Sequence, residues 1–372
     1  MSGASNGLLG LFDRLCEPFN GSNTIGNSRA FWVGAIVALA ITFAYPLFVS
    51  AYQAGNTALF LLYGLLALSL SVVWGYAGVL SFGQVVFFGF AGYTFGIVSI
   101  NLGSTLGTTL AIPVAVLVAT AVAGLLGYFM FYGNVSGVFV AIITLVVTLV
   151  MQTFMAQTAG DKWTIGEVPL GGFNGMPGIP NLAVGVEGAA LTFSGDTFYW
   201  LVLSTLVVVY FGLRVLVNSR FGYAMVAVRE DEDRVEMLGY DIRKVKLGVF
   251  TLGGALAGFS GVLYASWGNY IDPSVYSLTF ATMPVVWVTV GGRESLLGGL
   301  VATVAIEWFR QQLSVTGSEW AMVVVGVLLL TIVLALPEGI IPYVHRKAVG
   351  VLQQRGFVDP DRPATATEEA AE

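Results

Sequence analysis

Apolar residues are grouped along this chain in blocks roughly 17 to 22 residues long, at 31–50, 58–76, 84–100, 108–129, 137–158, 197–217, 247–267, 277–292, 296–313 and 320–337. Gly, Pro, Asn and most of the charges gather between them. A helix rising about 1.5 Å per residue needs roughly 20 apolar residues to cross a hydrocarbon core about 30 Å thick. The pattern therefore predicts an all-α polytopic membrane protein with about ten transmembrane helices. A polar segment, residues 1–30, precedes the first block; it lacks the short apolar core of a cleaved signal peptide. Residues 31–341 form one transmembrane domain interrupted by two long polar loops, 159–196 and 218–246. Residues 342–372 end in an acidic stretch rich in Ala and Pro, for which disorder is expected.

Composition agrees with the pattern. Of 372 residues 56% are hydrophobic and only 10% charged, with mean hydropathy +0.82, which excludes a soluble globular fold. Lys and Arg accumulate in cytoplasmic loops. Placing the N-terminus inside sends nearly all of them, from Arg14 to Arg362, to one face and leaves Lys162 and Arg310 toward the other. Both termini and the loop 218–246 are then cytoplasmic, and 159–196 is external.

The same residues remove several chemistries. One cysteine, Cys16, and one histidine, His345, offer no disulfide framework and no zinc cluster. No glycine is followed by lysine, so the phosphate-cradling G-x-x-x-x-G-K-[ST] loop of an ATPase is missing. Ion-coupled carriers place costly charges at mid-membrane. Here Glu307 and Arg310, spaced i, i+3, form the one charged pair within a span, and they read first as a structural ion pair facing other helices, with a solute or proton contact as the alternative. Driving energy is expected to enter from outside the spans.

The internal loop NSRFGYAMVAVREDEDRVEMLGYDIRKVK, Asn218 to Lys246, spaces Phe221, Met225, Val228, Val235 and Leu238 as one face of a short amphipathic helix. Ser219 is its expected cap, Glu230 and Arg234 its i, i+4 pair, and Gly239 its stop. The polar face is either a solvated loop or a docking surface. The run A-x-A-x-R-E-D-E followed by a glycine resembles the permease subunits of ABC importers of the branched-chain amino acid and urea family. By that resemblance this is the coupling helix that an ATPase subunit grips, and Gly222, Ala224, Arg229, Glu230, Asp231 and Gly239 transmit the motion.

Three further stretches resemble the same family. WGYAGVLSFGQ carries the G-Y-x-G-x-L-S-x-G motif at Gly75, Tyr76, Gly78, Leu80, Ser81 and Gly83, with Gln84 where family members often have histidine. WVTVGGRESLLGG resembles the G-G turn between two spans and contributes Trp287, Gly291, Gly292 and Arg293. GGFNGMPGIPNL in the external loop places Asn174 near the outer mouth of the pathway. The glycines permit close backbone approach, so a broken helix beside a pathway is expected around 75–96.

The resemblance implies an ABC importer permease fold in the cell membrane with no catalysis and no cofactor of its own. ATP and Mg are used by partner subunits. Those partners are two ATP-binding subunits, a homologous second permease and an extracytoplasmic solute-binding protein, with the lipid bilayer around them and no role for nucleic acid. The arginine of G-G-R and a path poor in charge point to urea or a short-chain amide as solute, with a branched-chain amino acid as the alternative. A stand-alone channel or secondary carrier is the competing class.

Overall fold

The computed structural model describes residues 16–160 and 162–315 and short stretches between 326 and 347. Residues 1–15 and most of the expected span 320–337 and of the tail 342–372 lie outside the described residues.

Ala111, Ala115, Ala119, Ala123 and Gly127 recur every fourth residue along helix α4 (Thr105–Tyr132), and all are buried. This stripe faces α9 (Ile242–Gly268), where a Cβ added to Gly258 would lie 2.5 Å from the Ala119 methyl. Two helices can approach this closely only where both surfaces are small. In lipid, where tails are as apolar as leucine, such packing is a main force holding helices together. Helix α9 also packs on α3 (Gln84–Leu102) and on α2 (Ala51–Leu70).

Helix α2, with the turn that extends it to Tyr76, is the central element. Its apolar window is 89% buried, against 11% for the peripheral α1 (Arg29–Ala44). The remaining long helices are α5 (Val138–Gln157) and α6 (Asp196–Val217). Phe139, Ile142, Val146 and Val150 of α5 are exposed, as expected of a face turned to lipid or to another subunit.

Among the described residues seven helices are long and apolar enough to cross a membrane. The expected spans 277–292 and 296–313 differ from the rest. They form α10 (Leu278–Gly291) and α11 (Leu296–Val315), which meet the test only together and are bent by 118° at the break between them. Helix α10 has 14 residues and so extends only about 21 Å. The chain has already entered the bundle when α10 starts: Tyr276, 1% exposed, stacks on Tyr93 in the middle of α3, with ring centroids 6.2 Å apart.

The segment 159–196, with Tyr270–Ile271, adds short strands to the expected all-α picture. β1 (Thr164–Ile165) pairs with β2 (Val168–Pro169), and β4 (Ala183–Val186) with β5 (Ala189–Thr192), each pair antiparallel. β3 (Met176–Pro177) pairs with β6 (Tyr270–Ile271). Open strand edges are tolerated there because water or polar groups outside the hydrocarbon satisfy them.

Candidate coupling junction

The loop 218–246 folds as two helices. α7 (Arg220–Glu230) is capped by Ser219, whose Oγ accepts from the Gly222 amide at 3.3 Å. At Asp231 the backbone becomes extended, and its Oδ1 accepts from the Arg234 amide at 3.1 Å to start α8 (Glu232–Met237). The expected single helix is thus broken at Asp231. The expected Glu230–Arg234 pair is replaced: Arg234 bonds Asp231 at 2.7 Å, and Glu230 bonds Arg229 at 2.6 Å. The chain turns at Gly239, in the expected left-handed conformation, with φ +85°.

Ala224, Met225, Val228 and Val235 are buried against the body, whereas Leu238, expected on that face, is exposed together with Met237 and Tyr240. Lys246 Nζ bonds Glu232 Oε2 at 2.6 Å and ties α8 to α9. Asp241 caps α9: its carboxylate accepts from the Lys244 amide at 3.2 Å and pairs with the Lys244 ammonium at 3.1 Å. The Lys244 hydrogen bonds hold the Asp241 carboxyl below its ordinary range.

The G-Y-x-G motif lies at the C-terminal end of α2. The last turn, Ser71–Tyr76, is π-helical, and Gly78 turns the chain with φ +73° before α3 begins at Gln84. A π turn leaves carbonyls without their usual helical partners. Arg229 of α7 takes one of them: its Nη1 donates to the Gly75 carbonyl at 2.6 Å, and its side chain lies against Gly78. The same Nη1 is 3.3 Å from Glu294 in the turn between α10 and α11. A Cβ on Gly75 would overlap the Arg293 carbonyl, so the broken helix and this turn touch backbone to backbone. Tyr76 completes the knot by donating to the Glu294 carbonyl at 3.2 Å and to the Asn23 carbonyl at 3.1 Å.

These contacts are unequal in strength. The Arg229–Glu230 pair involves a carboxylate 65% exposed and is worth about 0–1 kcal/mol. The Arg229–Gly75 bond is charge-assisted and largely sheltered, and belongs to the class worth about 1.5–3 kcal/mol. Arg229 therefore holds chiefly to the π turn.

The other sequence candidates divide into four groups. Gly291 and Gly292 form the tight turn beside Arg293, whose guanidinium is half-exposed and 3.6 Å from Glu294. Ser81, Gly83 and Gln84 lie further along the broken helix. Ser81 Oγ accepts from the Gly83 amide at 3.0 Å, and Gln84, 1% exposed, accepts from Ser69 at 3.3 Å. Trp287 is fully buried, donates to Glu307 at 3.2 Å and stacks on Tyr63. Glu307, 1% exposed, also bonds Arg310 at 2.6 Å, so the two side chains spaced i, i+3 do pair. Asn174 is at the opposite end of the molecule, where its carbonyl accepts from Tyr270 at 2.7 Å. Burial and the charge of Asp272 raise the Tyr270 phenol above its ordinary range.

A cavity of about 730 Å³ opens beside the knot, lined by Asn23, Trp74, Tyr76, Arg229, Arg293 and Glu294 among others. Sequence reasoning missed Glu294, which stood unremarked inside the quoted G-G-R-E motif, and Asn23, for which no pattern gives a signal. Among the described residues no cluster of three or more His, Cys, Asp or Glu could hold a metal ion.

The family described as branched-chain amino acid transport system / permease component matches residues 54–333. The chain is 30% identical over 146 residues to the high-affinity branched-chain amino acid transport system permease protein LivM of Escherichia coli, covering 39% of this chain and 34% of that one. It is 28% identical over 192 residues to the LivM protein of Salmonella typhimurium (46% and 45%). It is 27% identical over 187 residues to the probable branched-chain amino acid transport permease protein LivM of Methanocaldococcus jannaschii (46% and 53%). The matched stretches thus span about a third to a half of these relatives. No solved structure matches. With three quarters of its length inside the family match, the chain is a multi-pass cell-membrane protein that belongs to the permease component family of the branched-chain amino acid ABC transport systems.

Proposed function

We propose that this chain is the membrane-spanning subunit of an ATP-driven importer and carries a branched-chain amino acid. The observation that supports it most is the Arg229 contact, because one side chain of the internal loop reaches both the π turn at Gly75 and the turn at Glu294. A partner that tilts α7 and α8 would pull on both at once, which is what re-gating an alternating-access path requires. The exposed Met237, Leu238 and Tyr240 at the loop's tip, beside Glu236 and Asp233, give an ATP-binding subunit an apolar knob with an acidic rim to grip.

The relatives named for branched-chain amino acid transport favour that solute over urea. The G-G-R sequence carries less weight for urea than its resemblance implied, since Arg293 stands at the turn between α10 and α11 beside Glu294. In this reading two ATP-binding subunits supply ATP and Mg chemistry, a homologous permease completes the pathway, and an external binding protein delivers the solute.

The test is purification of the tagged chain in mild detergent with mass spectrometry of what accompanies it, then ATP-driven leucine uptake in proteoliposomes. ATP-binding subunits in the complex and competition of leucine uptake by valine and isoleucine but not urea are expected. Uptake without an ATPase would assign the chain to channels or secondary carriers.

A further inference from the structure

Arg214 near the C-terminal end of α6 is 1% exposed, yet among the described residues its hydrogen-bond partners include no carboxylate. Its guanidinium donates to the carbonyls of Phe19 (2.8 Å), Ile25 (3.2 Å) and Gly26 (3.2 Å), to the Asn27 side chain (3.1 Å) and to Thr24 (3.4 Å). It also stands over the rings of Phe31 and Trp32, 5.3 and 5.1 Å from their centroids. A buried cation is costly unless its donors are satisfied. Here they are satisfied by wrapping residues 19–27 around one side chain. The segment so held touches two parts of the junction, α7 with the turn before it and the π turn. Asn23 bonds Asn218 through its amide (3.2 Å) and the Val217 carbonyl through its side chain (2.7 Å), where α7 begins. Ser22 meets the Tyr223 hydroxyl of α7 at 3.2 Å, and Tyr76 of the π turn donates to Asn23. Ser22, Asn23, Thr24 and Ile25 form one wall of the inner cavity.

We infer that residues 19–27 are a working strap of the coupling junction, anchored on Arg214 as a positioning residue, which closes one wall of the inner cavity at rest and shifts whenever the coupling helices move. The strap is joined to α7 and to the π turn by polar contacts at its edges, so motion of either must stretch or break them. Its anchor is on α6, outside the loop that moves. This inference rests on the importer reading above.

The strap can be stapled at the turn that leads from α6 into α7. A Cβ at Gly21 falls 2.8 Å from the Asn218 Cβ, within a small shift of disulfide reach. In a Cys16→Ser background, Gly21→Cys with Asn218→Cys is expected to cross-link in the resting full complex under mild oxidation. Cross-linking is expected to slow at least several-fold during ATP turnover, and ATP-driven uptake to fall about tenfold or more when oxidised and to return with reductant. Absence of a cross-link would overturn the strap's placement. A cross-link whose rate ignores nucleotide, or that leaves uptake intact, would overturn its motion. The same preparation's ATP hydrolysis is read separately: if absent, the importer reading fails and the inference with it.

Discussion

Arg229 Nη1 donates to the carbonyl of Gly75 at 2.6 Å, joining two residues 154 positions apart. One belongs to the internal loop and the other to a π turn at the end of the most deeply buried helix. The bond gives a physical route from a surface loop to the bundle interior: the guanidinium is sheltered and also reaches Glu294, so a shift of α7 cannot leave the two turns unmoved.

Gly75→Ala places a methyl on the Arg293 carbonyl. Backbone cannot yield as a flexible side chain does, so the π turn and the α10–α11 turn must separate. ATP-driven uptake should fall tenfold or more while the chain still inserts and assembles, as read by uptake against membrane abundance. Wild-type uptake in this variant would mean that the backbone contact plays no part in gating.

Glu307→Gln keeps the shape of the group that bonds Arg310 and Trp287 but removes its charge. Arg310 is partly exposed and can turn to water, so the expected loss is about 1–3 kcal/mol of stability. Uptake per folded complex should keep its rate and its pH profile. A changed pH profile would assign Glu307 a proton or solute contact in place of a structural one.

Ala119→Leu should disrupt the bundle at the seam between α4 and α9, because the Ala119 methyl already approaches Gly258. Overpacking costs about 1–3 kcal/mol and more where backbones cannot separate. A lower midpoint of thermal aggregation in detergent checks this; an unchanged midpoint would place the α4–α9 contact elsewhere.

The Asp241 cap carries a pH dependence of defined sign. Its carboxyl is held below the ordinary aspartate range, so its contribution is present in full above that range and is lost only as pH falls below it. The protection of the Arg243 and Lys244 amides relative to an unstructured peptide at the same pH should fall on that acidification in the wild type. Asp241→Asn should weaken that dependence.

Much of this was legible before any coordinates. Hydrophobic block length located the seven long helices, and the Ser219 cap and Gly239 stop follow from local chemistry that acts within a few residues. The break at Asp231 was not legible, because an Asp that caps one helix and ends another looks like any acidic surface residue. The shortness of α10 was hidden for a different reason: its apolar run is continuous with that of a span, and only the packing of Tyr276 onto α3 fixes where the helix starts. The alanine stripe of α4 was present in the sequence at four-residue spacing but is masked by the leucines and valines around it. What joins Gly75, Arg229 and Glu294 is long-range, and each had only its own motif as a signal.

The most direct test of the account is Arg229→Gln in the assembled complex, with ATP hydrolysis and ATP-driven leucine uptake measured on the same proteoliposomes. Glutamine keeps a donor but loses the charge and the reach to both Gly75 and Glu294. The account predicts that hydrolysis persists while uptake falls at least tenfold, the mark of a partner that still turns over but no longer moves the path. Uptake that keeps pace with hydrolysis would show that force reaches the bundle by another route and would contradict the junction's role.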